Sequence, residues 1–99
     1  MASFEVREVF RLPSRNEFVI AGVIIEGTII PRMVVWVWLD SKLYWHIPVK
    51  SIEYIDRIAL NESLVGLVCV ETDPNEALLC SDLCPLGTVV EVKEHENVA

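Results

Sequence analysis

The sequence predicts an all-β fold, a small barrel of six or seven short strands with one short helix near residues 74–83. Two observations lead to this prediction. Short runs rich in β-branched and aromatic residues recur along the chain, and clusters of Pro, Gly, Asn, Asp and Ser separate them. Many short strands separated by turns are typical of a closed or nearly closed β-barrel.

The totals of the chain set its class. With 99 residues there is room for one domain, with the barrel at about 4–92 and a polar tail at 93–99. Apolar residues make up 53% of the chain, which excludes a disordered polymer. The longest apolar run, at 64–70, is far shorter than the roughly 20 residues that cross a bilayer. The N-terminus lacks a basic segment followed by an apolar one, so we expect a cytoplasmic location and no membrane partner.

The first two strands are predicted from alternation and from an apolar run. Residues 4–12 alternate between apolar and polar types and then lose phase at Val9 and Phe10, which indicates a strand with a β-bulge. After a loop, residues 18–25 form a second strand that is apolar throughout. Gly22 in its interior indicates a bend or the close approach of another backbone.

The middle of the chain is predicted to hold three more strands. A third strand is expected to begin at 28–31 and to end at Leu39, where a polar turn at 40–42 starts a hairpin. Residues 43–47 and 49–55 give two further strands, on either side of a proline that cannot donate to a sheet ladder.

The last third of the chain supplies two strands and the helix. Residues 64–70 form a strand that is apolar on both sides. Asp73 has the position of a helix N-cap and Pro74 that of the first helical residue, so a short helix is predicted to follow them. Residues 88–92 form the last strand.

Signatures of catalysis and of cofactor binding are absent from the sequence. It has no glycine-rich phosphate loop, no His-Glu-x-x-His and no Gly-x-Ser-x-Gly, so we expect neither an enzyme nor a bound cofactor. Cys80 and Cys84 are spaced as Cys-x-x-x-Cys, and His46 or Cys69 could complete a zinc site with them. The interpretation that we favour puts Cys69 in a core strand and the other two cysteines on one face of the short helix, without a metal.

Several segments of the chain follow one another in an order that is found in one family of barrels. They are Val6–Phe10, Val19–Ile29, Val35–Val37, Lys50–Tyr54 and Val65–Val68. The most specific parts are Ala-Gly-x-x-x-x-Gly at 21–27 and Ser-Ile-Glu at 51–53. Over about residues 4–92 the chain resembles the second domain of translational GTPases, the barrel that elongation factor Tu and initiation factor 2 carry beside their GTPase domain. The resemblance implies a Greek-key-type barrel and a contact with ribosomal RNA or with the end of a transfer RNA.

The chain also departs from the family pattern. The 99 residues contain no GTPase domain, so we expect no nucleotide hydrolysis from the resemblance. Arg32 stands where the family usually has glycine. Val23 and Ile25 stand where the family usually has charged or polar residues on the outside of the barrel.

The resemblance sets the phase of the third strand. According to the resemblance, Val35 and every second residue on either side of it point into the core, and the residues between them point outward. The second strand is expected to pair with the third, so that outward residues of both would merge into one apolar patch. The patch would consist of Val23, Ile25, Val34, Trp36 and Trp38. We therefore predict a protein-interaction module that binds a protein partner or a second copy of itself, as a homodimer or larger homo-oligomer, through this patch.

Alternatives remain open for the patch and for the function. The helix or the tail of the chain itself could cover the patch, or Trp36, Trp38 and Trp45 could line a ligand groove. A second function is an accessory translation or RNA-associated factor without its own GTPase domain. Its contacts with ribosomal RNA would come from Arg7, Arg11, Arg15, Lys42 and Lys50. A net charge of −7, from 15 acidic and 8 basic residues, disfavours broad nucleic-acid binding.

Overall fold

The computed structural model describes residues 2–40, 43–57, 62–71, 75–83 and 87–94. Its elements are β1 (Ala2–Leu12), a 3₁₀ turn (Pro13–Arg15), β2 (Glu17–Glu26), β3 (Val34–Asp40), β4 (Leu43–Pro48), β5 (Ser51–Arg57), β6 (Glu62–Val70), α1 (Glu76–Leu83) and β7 (Val89–Lys93). The prediction of an all-β fold with six or seven short strands and one short helix is confirmed, and the described residues form seven strands. The Greek-key connectivity and the likeness to the translation-factor domain stay predictions.

All strand pairs are antiparallel, in the order β4-β3-β7-β1-β2-β6-β5. The two edge strands, β4 and β5, are consecutive in the chain. At their junction the N–H of Val49 donates to the carbonyl of Met33 and the N–H of Lys50 donates to the carbonyl of Val68, both at 2.8 Å. One segment thus changes partner from β3 to β6, which brings the two ends of the sheet together and curls it into a barrel-like shape.

A β-bulge in β1 changes which side of the strand faces the core. The register against β2 shifts between Val6 and Glu8, so Arg7 is the extra residue. Phe4 and Val6, before the bulge, are buried in the main core. Phe10, after it, packs on the opposite face of the sheet. The predicted bulge is confirmed, two residues before its predicted position.

The core inside the curled sheet draws on nearly every strand. Its largest members are Phe4, Phe18, Ile20 and Leu67, all essentially inaccessible to solvent. Helix α1 packs against β1 and β3 and adds Cys80 to this core. The predicted position of Cys80 on the short helix is therefore confirmed, and the structure shows that its side chain is buried.

A second apolar cluster lies on the outer face of β2 and β6. Val19, Ala21, Leu64 and Val68 are buried there, and Phe10 and Leu12 pack against them. The first half of β2 is consequently buried on both faces, which explains why its sequence is apolar without alternation.

Two predictions about the chain between β2 and β3 are wrong. Residues 28–31 do not begin the third strand, because Ile30 to Met33 form a turn in which the Met33 N–H donates to the Ile30 carbonyl at 3.3 Å. Strands β2 and β3 do not pair either, because β7 and β1 lie between them.

The predicted helix cap at Asp73 and Pro74 falls outside the described residues, as do residues 95–99 of the predicted tail, whereas Lys93 belongs to β7. Among the described residues, no helix is long and apolar enough to span a membrane.

Candidate functional site

Trp36 lies on the outer face of β3, opposite His46 of β4 and Glu91 of β7. The hydrogen bond between Val49 and Met33 fixes the alternation of the β3–β4 ladder and makes Trp36 and His46 a non-hydrogen-bonded pair. Such pairs bring side chains closest together. The two ring centroids are accordingly 4.2 Å apart, with a 34° angle between the ring planes.

Lys93 of β7 also lies against the indole ring of Trp36. Its Nζ lies 4.1 Å from the centroid of the indole ring and 3.2 Å from the Oε2 of Glu91. A cation over an indole at a solvent-exposed site contributes about 0.5–1 kcal/mol. Trp36 is half-buried, with His46 and Lys93 against its ring. Helix α1 packs against β1 and β3 and inserts Cys80 into the main core.

The structure separates the residues of the predicted patch. Val23 and Ile25 are exposed, by 37% and 56%. However, β7 and β1 lie between β2 and β3, and neighbouring strands of a sheet are spaced roughly 4.8 Å apart. Val34 shares the outer row of Trp36 and is only 7% exposed, next to Pro48 and Lys93. The predicted merger of β2 and β3 residues into one continuous patch is wrong, because it assumed that the two strands pair.

Trp38 and Trp45 are the other two tryptophans of the predicted ligand groove. The backbone of Trp38 pairs with Tyr44, and its side chain is outside the described residues. Trp45 is opposite Val37 and packs against the main core. Trp36 and Trp45 therefore lie on opposite faces of the sheet, and the predicted ligand groove lined by both is wrong.

Strand β7 and the first half of β1 fill the space between Trp36 and Val23. Val89, 55% exposed, lies directly opposite Glu5, which in turn lies opposite Val23. We call this surface the outer strip. It consists of Trp36 on β3, Val89, Glu91 and Lys93 on β7, Glu5 and Arg7 on β1, and Val23 and Ile25 on β2.

The charges of the outer strip cancel within it. Arg7 lies 2.9 Å from the Oε2 of Glu5, and Lys93 lies 3.2 Å from that of Glu91. The sequence analysis missed Val89, Glu91 and Lys93, although the alternation of valine with charged residues at 90–93 is the pattern of a strand with one solvated face.

The described members of the predicted RNA-contacting group are all paired with carboxylates. Besides Arg7, Arg11 lies 2.7 Å from Glu71, and Arg15 and Lys50 both contact Glu17. Phosphate groups would have to compete with these carboxylates for the cations. Lys42 falls outside the described residues, and the contact with RNA stays a prediction.

Glu17 is the one buried charged residue among the described side chains. Its carboxylate accepts a hydrogen bond from Lys50 and lies 2.8 Å from the Nε of Arg15. The hydrogen bond from Lys50 and the charge of Arg15 lower the pKa of Glu17, against burial, which by itself raises it. Because Lys50 belongs to the β4–β5 junction, this ion pair ties the start of β2 to the segment that closes the sheet.

The two cysteines whose side chains the structure describes are part of the core. Cys69 and Cys80 are fully buried in the main core, and the Sγ of Cys69 donates to the carbonyl of Leu67 at 3.6 Å. Within the described ranges, no group of three or more His, Cys, Asp and Glu side chains is placed to hold a metal ion. Cys84 falls outside them.

Comparison of the chain with protein-family models, with curated proteins and with solved structures found no match. The resemblance to the second domain of translational GTPases therefore stays a hypothesis that depends on the sequence segments alone.

Proposed function

We propose that this protein is a non-enzymatic barrel-like interaction module that self-associates through the outer strip. The observation that carries the proposal is the combination of exposed apolar side chains with internally paired charges on one face of an acidic chain. The cytoplasmic location and the relation to translation that the sequence suggests stay predictions.

The charge balance makes the outer strip the face on which two copies of this acidic chain can meet with the least repulsion. Two copies that each carry a net charge of −7 repel one another, and at physiological salt this repulsion is screened over about 8 Å. Contact is least opposed where each copy presents as many cations as carboxylates. In a two-fold symmetric contact, each Glu91 can face the Lys93 of the other copy, so the strip is complementary to itself.

Trp36 is suited to the centre of such a contact. Indole rings are frequent at positions that dominate binding energy, and a side chain that is already held in one orientation loses little entropy on binding. His46 and Lys93 hold the ring in this way. Val89, Val23 and Ile25 then contribute apolar area on the side of β7 and β2.

Size-exclusion chromatography with light scattering tests the proposal over a range of protein concentrations. We expect wild type to form a dimer or larger assembly, and we expect Trp36→Ala to weaken it by roughly 30-fold, as truncation of a central tryptophan does elsewhere. Tyr54→Ala is the matched control, because Tyr54 is an aromatic residue of β5 that is 82% exposed and lies outside the strip.

Two outcomes would contradict self-association through the strip. One is a wild-type monomer at the highest concentration reached. The other is an assembly that Trp36→Ala and Tyr54→Ala weaken equally. Circular dichroism of each variant establishes that the fold is retained.

A further inference from the structure

An open groove of about 630 Å³ lies where the turn between β2 and β3 meets the β4–β5 junction. Ile30, Pro31, Met33, Pro48 and Val49 give it a mainly apolar lining, and Arg32 supplies a positive charge. Its volume is within the range of ligand-binding sites, which is roughly 300–1,000 Å³. Glu94, just after β7, also borders it.

The groove is built from fixed parts. The N–H of Arg32 donates to the Val49 carbonyl at 2.9 Å, and the N–H of Val49 donates back to Met33. The N–H of Ile30 lies 3.2 Å from the Sδ of Met33, which accepts its hydrogen bond. The turn and the junction are thus held together before any ligand arrives.

Arg32 occupies a backbone position that does not suit arginine. It follows Pro31 in the Ile30–Met33 turn and has a φ of 79°, the conformation of the third residue of a type II turn. Glycine or asparagine normally takes this place, because a larger side chain is strained there. A strained residue that persists is a reason to look for a role of its side chain.

Arg32 also lacks an ion-pair partner among the described residues, although Glu94 borders the same groove. Arg7, Arg11 and Arg15 each lie within 2.9 Å of a carboxylate oxygen. Arg32 is exposed and has no carboxylate at ion-pair distance among the residues that the structure describes. A protein that is acidic overall therefore presents a guanidinium group with unused donors at an apolar groove.

We propose that this groove binds an extended peptide segment of a partner protein that carries an acidic residue next to apolar ones. The carboxylate would receive two parallel N–H donors from Arg32, the geometry for which guanidinium is suited. Apolar side chains of the segment would cover Ile30 and Pro31, which line the groove and are exposed.

The surroundings of the groove favour an extended peptide over an enclosed small molecule. The groove is open to solvent, whereas small-molecule sites bury most of their ligand. It also borders Pro48, the last residue of β4, which is an edge strand with β3 as its one partner among the described strands. The backbone groups of His46 point away from β3, so an extended segment can hydrogen-bond to them.

Arg32→Gly separates binding from folding, and it is the central variant of the test. The probe is a library of octapeptides with a fluorophore on the amino terminus and an amidated carboxyl terminus, each with one glutamate among valine, leucine, isoleucine and proline residues. A matched library has glutamine in place of the glutamate. Binding is followed by fluorescence polarisation, and the site by NMR shifts of the Met33 and Val49 amides.

We expect library members with glutamate to bind wild type and to shift both amides. Glutamine in the peptide, or Arg32→Gly in the protein, should weaken binding at least 10-fold. The unfolding midpoint of Arg32→Gly should match or exceed that of wild type, since glycine relieves the strained φ. Arg32→Gln, which keeps the strained backbone but loses the charge, should weaken binding to a similar extent.

Three results would overturn the proposal. They are the absence of binding by any glutamate peptide, equal binding to wild type and Arg32→Gly, and displacement of the peptide by inorganic phosphate at equal concentration, which would show a simple anion site. The test is independent of self-association, because it is performed in parallel on Trp36→Ala, whose substitution lies outside the groove.

Discussion

The two halves of β2 have similar sequences and opposite surroundings. Residues 17–22 are buried on both faces, whereas from Val23 to the end of the strand the outward side chains are exposed. Val19 is covered on the outer face by Phe10, its neighbour on β1. Val23 has Glu5 as the corresponding neighbour. The composition of a strand therefore does not decide whether its outer face is covered, because the phase of the adjacent strand decides it.

The bulge at Arg7 creates this difference. Before the bulge, β1 directs Glu5 outward, and the residues opposite it on β2 and β7 stay accessible. After the bulge, β1 directs Phe10 and Leu12 outward, and they pack over the first half of β2. One inserted residue thus divides the outer surface into a closed region and an open one, and the outer strip lies in the open one.

The largest expected effect concerns Gly22, which stands where the two regions meet. A Cβ at this position would lie 1.9 Å from the Glu5 carbonyl oxygen and 2.9 Å from the Cε1 of Phe4. Backbone must move to admit it, so Gly22→Ala should lower the free energy of unfolding by about 3 kcal/mol. Urea denaturation measures this change.

Gly87→Ala is the matched control for Gly22. Gly87 has a φ of 89°, and no described atom lies within 4 Å of the place that an alanine methyl group would take, so only backbone strain opposes alanine there. We expect a loss of about 1–2 kcal/mol. If both substitutions cost the same, the tight approach of β1 to Gly22 does not hold the boundary between the regions.

The next effect compares one valine from each region. Val68 is fully buried in the outer cluster, and Val89 is 55% exposed in the outer strip. Val68→Ala should lower the free energy of unfolding by about 2 kcal/mol, from lost burial and the cavity that remains. Val89→Ala should change it by less than about 0.5 kcal/mol in the monomer. Similar losses for the two variants would show that the open region is covered too.

Local features of this division could be predicted from the sequence, and its long-range features could not. The loss of alternation near Val9 indicated the bulge, and Gly22 indicated close backbone approach; both are present. The insertion of β7 between β1 and β3 joins segments that are far apart in sequence, and no local pattern encodes such a pairing. The prediction of one merged apolar patch is wrong for this reason.

The candidate groove shows a different limit of sequence reasoning. Pro31 is a good second residue of a type II turn, but the glycine that would have marked the third position is replaced by Arg32. The segment therefore has the pattern of a strand that is beginning. A departure from turn chemistry hid the turn, and the same departure now identifies Arg32 as the residue to test.

The smallest expected effect lies at the closed end of β2, where Glu17 pairs with Lys50 and Arg15, and it concerns pH dependence. The pKa of Glu17 is lowered from its ordinary value of 4.5, first by the hydrogen bond from Lys50 and also by the charge of Arg15. A carboxyl whose pKa is lower in the folded state stabilises the fold above its unfolded pKa, and this contribution is lost as pH falls through the folded value. The difference in free energy of unfolding between wild type and Glu17→Gln should therefore be constant near neutral pH and shift against wild type below about pH 4.5.

Urea denaturation at a series of pH values between neutral and about 3 measures this shift. Lys50→Met is the informative control, because it removes the hydrogen bond that is the largest cause of the lowered pKa of Glu17. In this variant burial still raises that pKa, and the charge of Arg15 alone opposes burial. Its stability should consequently fall less steeply with acid than that of wild type. If wild type, Glu17→Gln and Lys50→Met have parallel profiles, the ion pair does not hold the β4–β5 junction to β2, and the closed region depends on the apolar cluster of Val19 and Val68 alone.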